Sequence, residues 1–210
     1  MIRNSYVTAL VLIAGGLMNG QSVLAQRHEL GLTLGAVGSG TRSSPLGSLD
    51  LSRGTALQAN YGFRFLDRSK VALFAEAHFL ANPIREVASP NTQAPADFAT
   101  LYVVPGLRVK FRPASRFSPY VAVGGGYALY ERSGEQIGGG QNLASRFTNR
   151  GAFAFGGGVD FPLWRFLGGR WEIRDFYTGN PDLNVPLSSG GQHNLVVGGG
   201  LVLRFGQGES

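Results

Sequence analysis

Residues 55–65 read Thr-Ala-Leu-Gln-Ala-Asn-Tyr-Gly-Phe-Arg-Phe. Leu57, Ala59, Tyr61, Phe63 and Phe65 fall on one side of a period of two. Gln58, Asn60, Gly62 and Arg64 fall on the other. An extended chain sends successive side chains to opposite faces, so this segment reads as a β-strand with one apolar and one polar face.

The same alternation recurs along the chain. In 71–81, Val71, Leu73, Ala75, Ala77 and Phe79 oppose a face that holds Glu76 and His78. In 98–111, Leu101, Val103, Leu107, Val109 and Phe111 oppose Tyr102, Gly106, Arg108 and Lys110. In 193–205, Leu195, Val197, Leu201, Leu203 and Phe205 oppose Asn194, Gly198, Gly200 and Arg204. Segments 28–38, 119–130, 150–161 and 168–178 follow the scheme less cleanly. Eight strands on this count take up about half of residues 26–210, against roughly 20–25% in an ordinary globular domain. A barrel that closes on itself in a membrane needs such a content.

The connections sort themselves by length. Those over 39–54, 82–97, 131–149 and 179–192 are long and alternate with short ones at 66–70, 112–118 and 162–167. In an antiparallel meander, odd and even connections lie at opposite ends. One end therefore carries the long loops and the other the tight turns, as in bacterial outer-membrane barrels. The fold expected is an all-β, eight-stranded antiparallel up-and-down transmembrane barrel.

Composition agrees. The 210 residues include 32 Gly, no Cys and only 15% charged residues, and the net charge is +6. Soluble domains carry about 25% charged residues and roughly 7% Gly. Without Cys there is no disulfide framework and no thiolate metal site or thiol nucleophile. At the start, Met1-Ile-Arg3 precedes a mostly apolar run from Tyr6 to Met18, and Val23-Leu24-Ala25 suits a small-residue cleavage site. That pattern predicts a signal peptide over 1–25 and a barrel domain over 26–210.

Three strands share a Gly triplet: Val121-Ala-Val-Gly-Gly-Gly-Tyr127, Phe153-Ala-Phe-Gly-Gly-Gly-Val159 and Leu195-Val-Val-Gly-Gly-Gly-Leu201. A phosphate-binding loop would need a following Lys and helix, and neither is present. Glycine inside a strand instead marks bending or close approach. Gly124, Gly126, Gly156, Gly158, Gly198 and Gly200 are expected to form an inward belt of small residues.

The two faces have different tasks. Phe63, Phe65, Phe111, Phe161, Trp164, Phe166, Trp171 and Phe205 fall at or beside short connections and predict an aromatic girdle at that end, the periplasmic one. The inward face carries Glu29, Arg64, Glu76, Arg108, Lys110, Asp160, Arg170, Glu172, Arg174 and Arg204. Charges in lipid cost several kcal/mol near the midplane, so they are expected to point into the lumen and pair. Arg64, Glu76, Arg108, Lys110, Arg170, Glu172 and Arg174 are the expected interior network, with Glu172 as its hub. Asp175 falls on the lipid side of its strand, which suggests a bulge or a position above the membrane. Pro105 suggests a second bulge.

With these features the chain resembles the small outer-membrane β-barrel family, the OmpA/OmpX-like porin superfamily, over 26–210. The resemblance rests on the export segment, the alternating strands, Ser118-Pro-Tyr-Val-Ala-Val-Gly124 and a last strand reaching Phe205. It implies an outer-membrane location and insertion by the barrel-assembly machinery. The function expected is structural or interactive, with specificity in the extracellular loops; a narrow channel for small solutes is the alternative. An enzyme is not expected: His28, His78 and His193 are the only histidines, and none shows a metal-binding spacing. His78 suits a hydrogen-bonded interior position. No cofactor and no metal are expected. The partners expected are membrane lipids, including lipopolysaccharide at Arg42, Arg53, Arg85, Arg132 and Arg146; nucleic acid is not among them. A monomer is expected.

Overall fold

The computed structural model describes residues 27–44, 47–181, 183–184 and 190–206, so the expected export segment lies outside the described residues. Ten strands follow one another: β1 (His28–Ser39), β2 (Arg42–Ser44), β3 (Gly47–Leu51), β4 (Gly54–Asp67), β5 (Val71–Ala88), β6 (Asp97–Phe111), β7 (Ser118–Arg132), β8 (Phe147–Pro162), β9 (Leu167–Thr178) and β10 (Gln192–Phe205). β2 and β3 make a small hairpin within the first long connection and lean on β5 through Asp50 and Leu51. The other eight are the barrel. Neighbours in sequence pair antiparallel, and β1 pairs with both β4 and β10, which closes the sheet. Every strand read from the alternation lies within one of these eight.

The register sets the shape. From Gly38 on β1, the paired residues run through Leu195, Asp175, Phe155, Val123, Leu107, Ala75 and Phe63 and return to β1 at His28, ten residues away. Eight strands with a stagger of ten, spaced 4.8 Å apart and rising 3.3 Å per residue, must tilt by about 41° around a barrel of radius ~8 Å. Ten residues then climb ~25 Å, the height of the apolar band of such barrels. The long connections 40–53, 89–96, 133–146 and 179–191 all lie at one end and 68–70, 112–117 and 163–166 at the other.

Two bulges depart from the simple alternation, and neither is where it was expected. The β5–β6 register shifts between Asn82 and Arg85, so Pro83 and Ile84 both face outward and Arg85 turns into the barrel. Pro83 cannot donate a ladder bond, and an extra residue here re-aims every side chain beyond it. The second bulge, between Arg64 and Leu66, sets Phe65 as the extra residue of β4. At Pro105 the pairing with β7 is interrupted but resumes in unchanged register at Gly106, so no bulge forms. β9 is likewise regular through Asp175.

So narrow a lumen leaves little room for side chains, and the glycines supply it. Glu76 lies between Gly62 and Gly106, and Glu172 between Gly158 and Gly198. Arg174 is paired with Gly156 and Arg170 with Gly200. A Cβ on Gly62 would lie 2.6 Å from an Nη of Arg108, and one on Gly158 2.6 Å from the Tyr120 hydroxyl. The outward Gly125 has nothing within 4 Å, whereas a Cβ on its inward neighbour Gly126 would strike the Val103 carbonyl. Gly125→Ala should therefore fold as the parent does. Gly126→Ala should lose about 1–3 kcal/mol through overpacking. Urea titration, read by the mobility difference between boiled and unboiled samples on a detergent gel, checks both; equal stability of the two variants would count against the packing.

Candidate functional site

The lumen is the best-defined polar site, and it is built in two layers. In the half nearer the short turns, Lys110 Nζ bridges Glu29 at 2.6 Å and Asp160 at 2.7 Å. Asp160 also takes a two-pronged bond from Arg170, at 2.7 Å to Nε and 2.9 Å to Nη2. Glu29 accepts further contacts from Arg108 at 2.7 Å and Arg204 at 3.3 Å. Above them, Arg174 Nη2 holds Glu76 at 2.8 Å and Glu172 at 3.0 Å, and the Tyr120 hydroxyl donates to Glu172 at 2.6 Å. Arg108 joins the two groups, since its Nε stands 3.2 Å from Glu76. Its guanidinium lies over the Phe74 ring at 4.5 Å, and that of Arg170 lies over Tyr120 at 4.8 Å.

All of these acids and all of these bases except Arg204 are buried. Such pairing is what makes buried charge tolerable, because each ion stripped of water needs opposite charges and hydrogen bonds in return. The arrangement brings together six of the seven network residues named from sequence: Glu76, Arg108, Lys110, Arg170, Glu172 and Arg174. Arg64 stands apart at the short-turn mouth, 3.0 Å from Asp67. The cluster draws in Glu29, Asp160 and Arg204 from the same inward face; Glu29, not Glu172, faces the most bases, and Arg108 links the two layers. Tyr120 escaped notice because Pro119 and the glycines blur the alternation of β7.

Toward the long-loop end, polarity gives way to packing. His78 sits above both ionic layers with its Nε2 3.1 Å from Gln58 Oε1, and Gln58 donates to Thr33 at 3.0 Å. Phe176 packs at a tilt against His78 and Tyr102, with ring centroids 5.6 and 5.0 Å apart. Above them, Phe98, Tyr130, Val37, Leu49, Val87 and Leu183 form a buried apolar cluster roofed by the β2–β3 hairpin. Arg85 clamps this roof. Its guanidinium donates to the Ser52 carbonyl at 3.0 Å, the Ser39 hydroxyl at 3.0 Å and Asn194 at 3.2 Å. Arg85 and Arg132, taken from sequence as outward loop bases, are thus buried. Arg132 reaches Asn184 at 3.0 Å instead.

The outer wall is apolar, with Leu34, Leu57, Leu107, Val121, Ile173 and Leu201 exposed in its middle. Phe63, Phe65, Phe111 and Trp164 are exposed toward the short-turn end, and Phe161 and Phe205 are half-buried there. Trp171 does not sit at that level. It pairs with Gly199, six residues up β10 from Phe205, and so stands within the aliphatic band. Of the three histidines, His28 closes an aromatic cluster with Tyr61, Phe63 and Phe205 at the short-turn rim. Among the described residues, no group of three or more His, Asp or Glu is placed to hold a metal ion.

No protein-family model matches the chain, and no curated protein matches it. Solved structures do. Neisserial surface protein A superposes with a TM-score of 0.54 at 17% identity, covering 85% of this chain and 96% of that one. The outer membrane protein OprG from Pseudomonas aeruginosa gives 0.55 at 14% identity, covering 89% and 98%. The outer membrane protein AlkL, solved in lipid bilayers, gives 0.50 at 13% identity, covering 89% and 93%. At these identities the likeness is one of fold: the chain has the fold of small outer-membrane β-barrels.

The burial of the network has a measurable consequence. Glu29→Gln would take from the buried Lys110 and Arg108 one of the two carboxylates that each of them faces and should cost about 3–5 kcal/mol. Glu131→Gln removes a pair with Arg146 whose side chains are 39% and 71% exposed, and should cost less than about 1 kcal/mol. Urea unfolding in lipid vesicles compares the two; a small loss for Glu29→Gln would mean that water screens the lumen.

Proposed function

We propose that the protein is an integral outer-membrane barrel with a closed lumen and a structural or interaction role, its long loops exposed outside the cell. The observation that carries this reading is the double closure of the lumen: a paired ionic layer across the lumen, and above it an apolar layer roofed by a loop hairpin and clamped by Arg85. Export through residues 1–25, insertion by the barrel-assembly machinery and a monomeric state belong to the same reading. The roofed end, with loops tied to the wall, offers a rigid platform of the kind on which binding residues are usually mounted.

A narrow channel is the second reading. A cavity of about 230 Å³ opens at the short-turn mouth beside Arg64, Ser115 and Arg204, and it ends on Lys110 and Asp160. A conducting path would have to break those ion pairs.

Planar-bilayer recording separates the two. The purified protein should give no steady conductance, and a steady ohmic conductance in the parent protein would overturn the closed-barrel reading. Protease added to intact cells should cut within 40–53, 89–96, 133–146 or 179–191 and spare the turns 68–70, 112–117 and 163–166. The reverse pattern would invert the orientation.

A further inference from the structure

The two ends of the barrel differ in charge. Residues 27–28, 64–70, 111–118 and 161–167, the short turns with the strand ends beside them, hold seven bases and one acid, Asp67. The long connections with their strand ends, 40–53, 85–97, 131–150 and 179–191, hold six of each sign. The excess of six at the short-turn end equals the net charge of +6 on the whole chain.

Pairing does not relieve this excess. Asp67 is taken by Arg64 at 3.0 Å. Arg68, Lys70, Arg112, Arg116 and Arg165 are exposed and have no acidic partner among the described residues. Two of them are brought together by the sheet: the Arg112 backbone N–H donates to the Lys70 carbonyl at 2.8 Å, one step beyond the Val71–Phe111 pair that joins β5 to β6. Like charges set opposite each other on neighbouring strands are destabilising. An anion lying against the rim would offset that repulsion.

Large apolar side chains are exposed among the same bases. Phe65 precedes Arg68, Phe117 follows Arg116, and Leu163, Trp164 and Phe166 surround Arg165. The Arg116 guanidinium lies 5.9 Å from the centre of the Phe117 ring. Leu163 is 55% and Trp164 70% exposed, so a purely aqueous or purely ionic partner would leave them uncovered. A headgroup layer offers phosphate charge and the edge of the hydrocarbon within about 5–8 Å of depth. There, Arg and Lys lay their methylenes on apolar surface and keep their charge among polar groups, while aromatic rings settle at the boundary. The bases also follow the whole circumference. The turns join β4 to β5, β6 to β7 and β8 to β9, and Arg27 stands where β1 meets β10. That is the distribution of an annulus of lipids, whereas a protein docked on one side would need one face.

We propose that the short-turn rim is a binding surface for anionic phospholipid headgroups, which it selects over zwitterionic ones through Arg68, Lys70, Arg112, Arg116 and Arg165. Basic clusters at a membrane surface are drawn to anionic lipids in this way, and salt weakens the attraction. The inference rests on the reading of the barrel as embedded in a membrane with this rim at the periplasmic leaflet. It is independent of whether the lumen conducts.

Trp164 stands in the rim and Trp171 is the only other tryptophan, so Trp171→Phe leaves one emitter beside Arg165. Reconstituted in vesicles of phosphatidylcholine brominated on its acyl chains, this variant should be quenched. An absence of quenching would refute the embedding, and the assignment with it. Unlabelled phosphatidylglycerol should relieve the quenching at a mole fraction about threefold lower than unlabelled phosphatidylcholine does. Arg116→Gln together with Arg165→Gln should reduce that preference to below about 1.5-fold, and so should ~0.5 M salt. Arg165→Lys keeps the charge and should retain the preference. Both positions are exposed, so these variants should show the folded band on an unboiled gel. Equal displacement by the two lipids, or a full preference in the folded double variant, would overturn the assignment. Equal displacement accompanied by binding of soluble polyglutamate to the reconstituted protein would overturn it in favour of an acidic protein partner.

Discussion

The narrowness of the closed sheet governs the rest of the structure. Eight strands with a stagger of ten leave a lumen that side chains must fill completely, yet the inward face includes Arg, Lys and Glu, among the longest side chains available. Both conditions are met at once only if neighbours give up their volume. Gly62 and Gly106 flank Glu76, Gly158 and Gly198 flank Glu172, and Gly156 and Gly200 stand beside Arg174 and Arg170. The abundance of glycine, costly to strand stability by itself, is the counterpart of the buried charge.

That charge also specifies the register. In a strand with one face in lipid, a slip of one residue exchanges the two faces. Here such a slip would move Arg108 and Lys110, or Arg170, Glu172 and Arg174, from the lumen into hydrocarbon, at several kcal/mol for each strand near the midplane. Replacing a buried ion pair by apolar residues is often neutral for stability, so the network is better understood as selecting this pairing over its neighbours than as the main source of stability. The apolar layer above it, from Phe176 to Leu49, packs around one more buried charge, the Arg85 guanidinium over the Phe98 ring.

The outer wall obeys the complementary rule, and its exceptions are confined to the edges of the apolar band. His28 caps an aromatic cluster at the short-turn rim. His193 and Asp175 pair near the opposite rim. No bulge or displacement of β9 removes Asp175 from the lipid side, so its carboxylate is tolerated by its partner and its height.

Most of the architecture was legible in the chain because a period of two is a local property, which each strand displays whatever its neighbours are. Alternation placed all eight barrel strands, sorted the long connections from the short ones and assigned Glu29, Asp160 and Arg204 to the interior along with the network residues. The tertiary structure alone decided who meets whom. Contacts between Lys110 and Asp160, or between Arg108 and both Glu29 and Glu76, depend on the stagger of the hydrogen-bond ladder, and that quantity exists only once the sheet has closed. Arg85 shows the same limit locally. Its position after Pro83 counts as outward until the bulge adds one residue to β5, and a one-residue change of register carries a side chain from the outside of the barrel to its core.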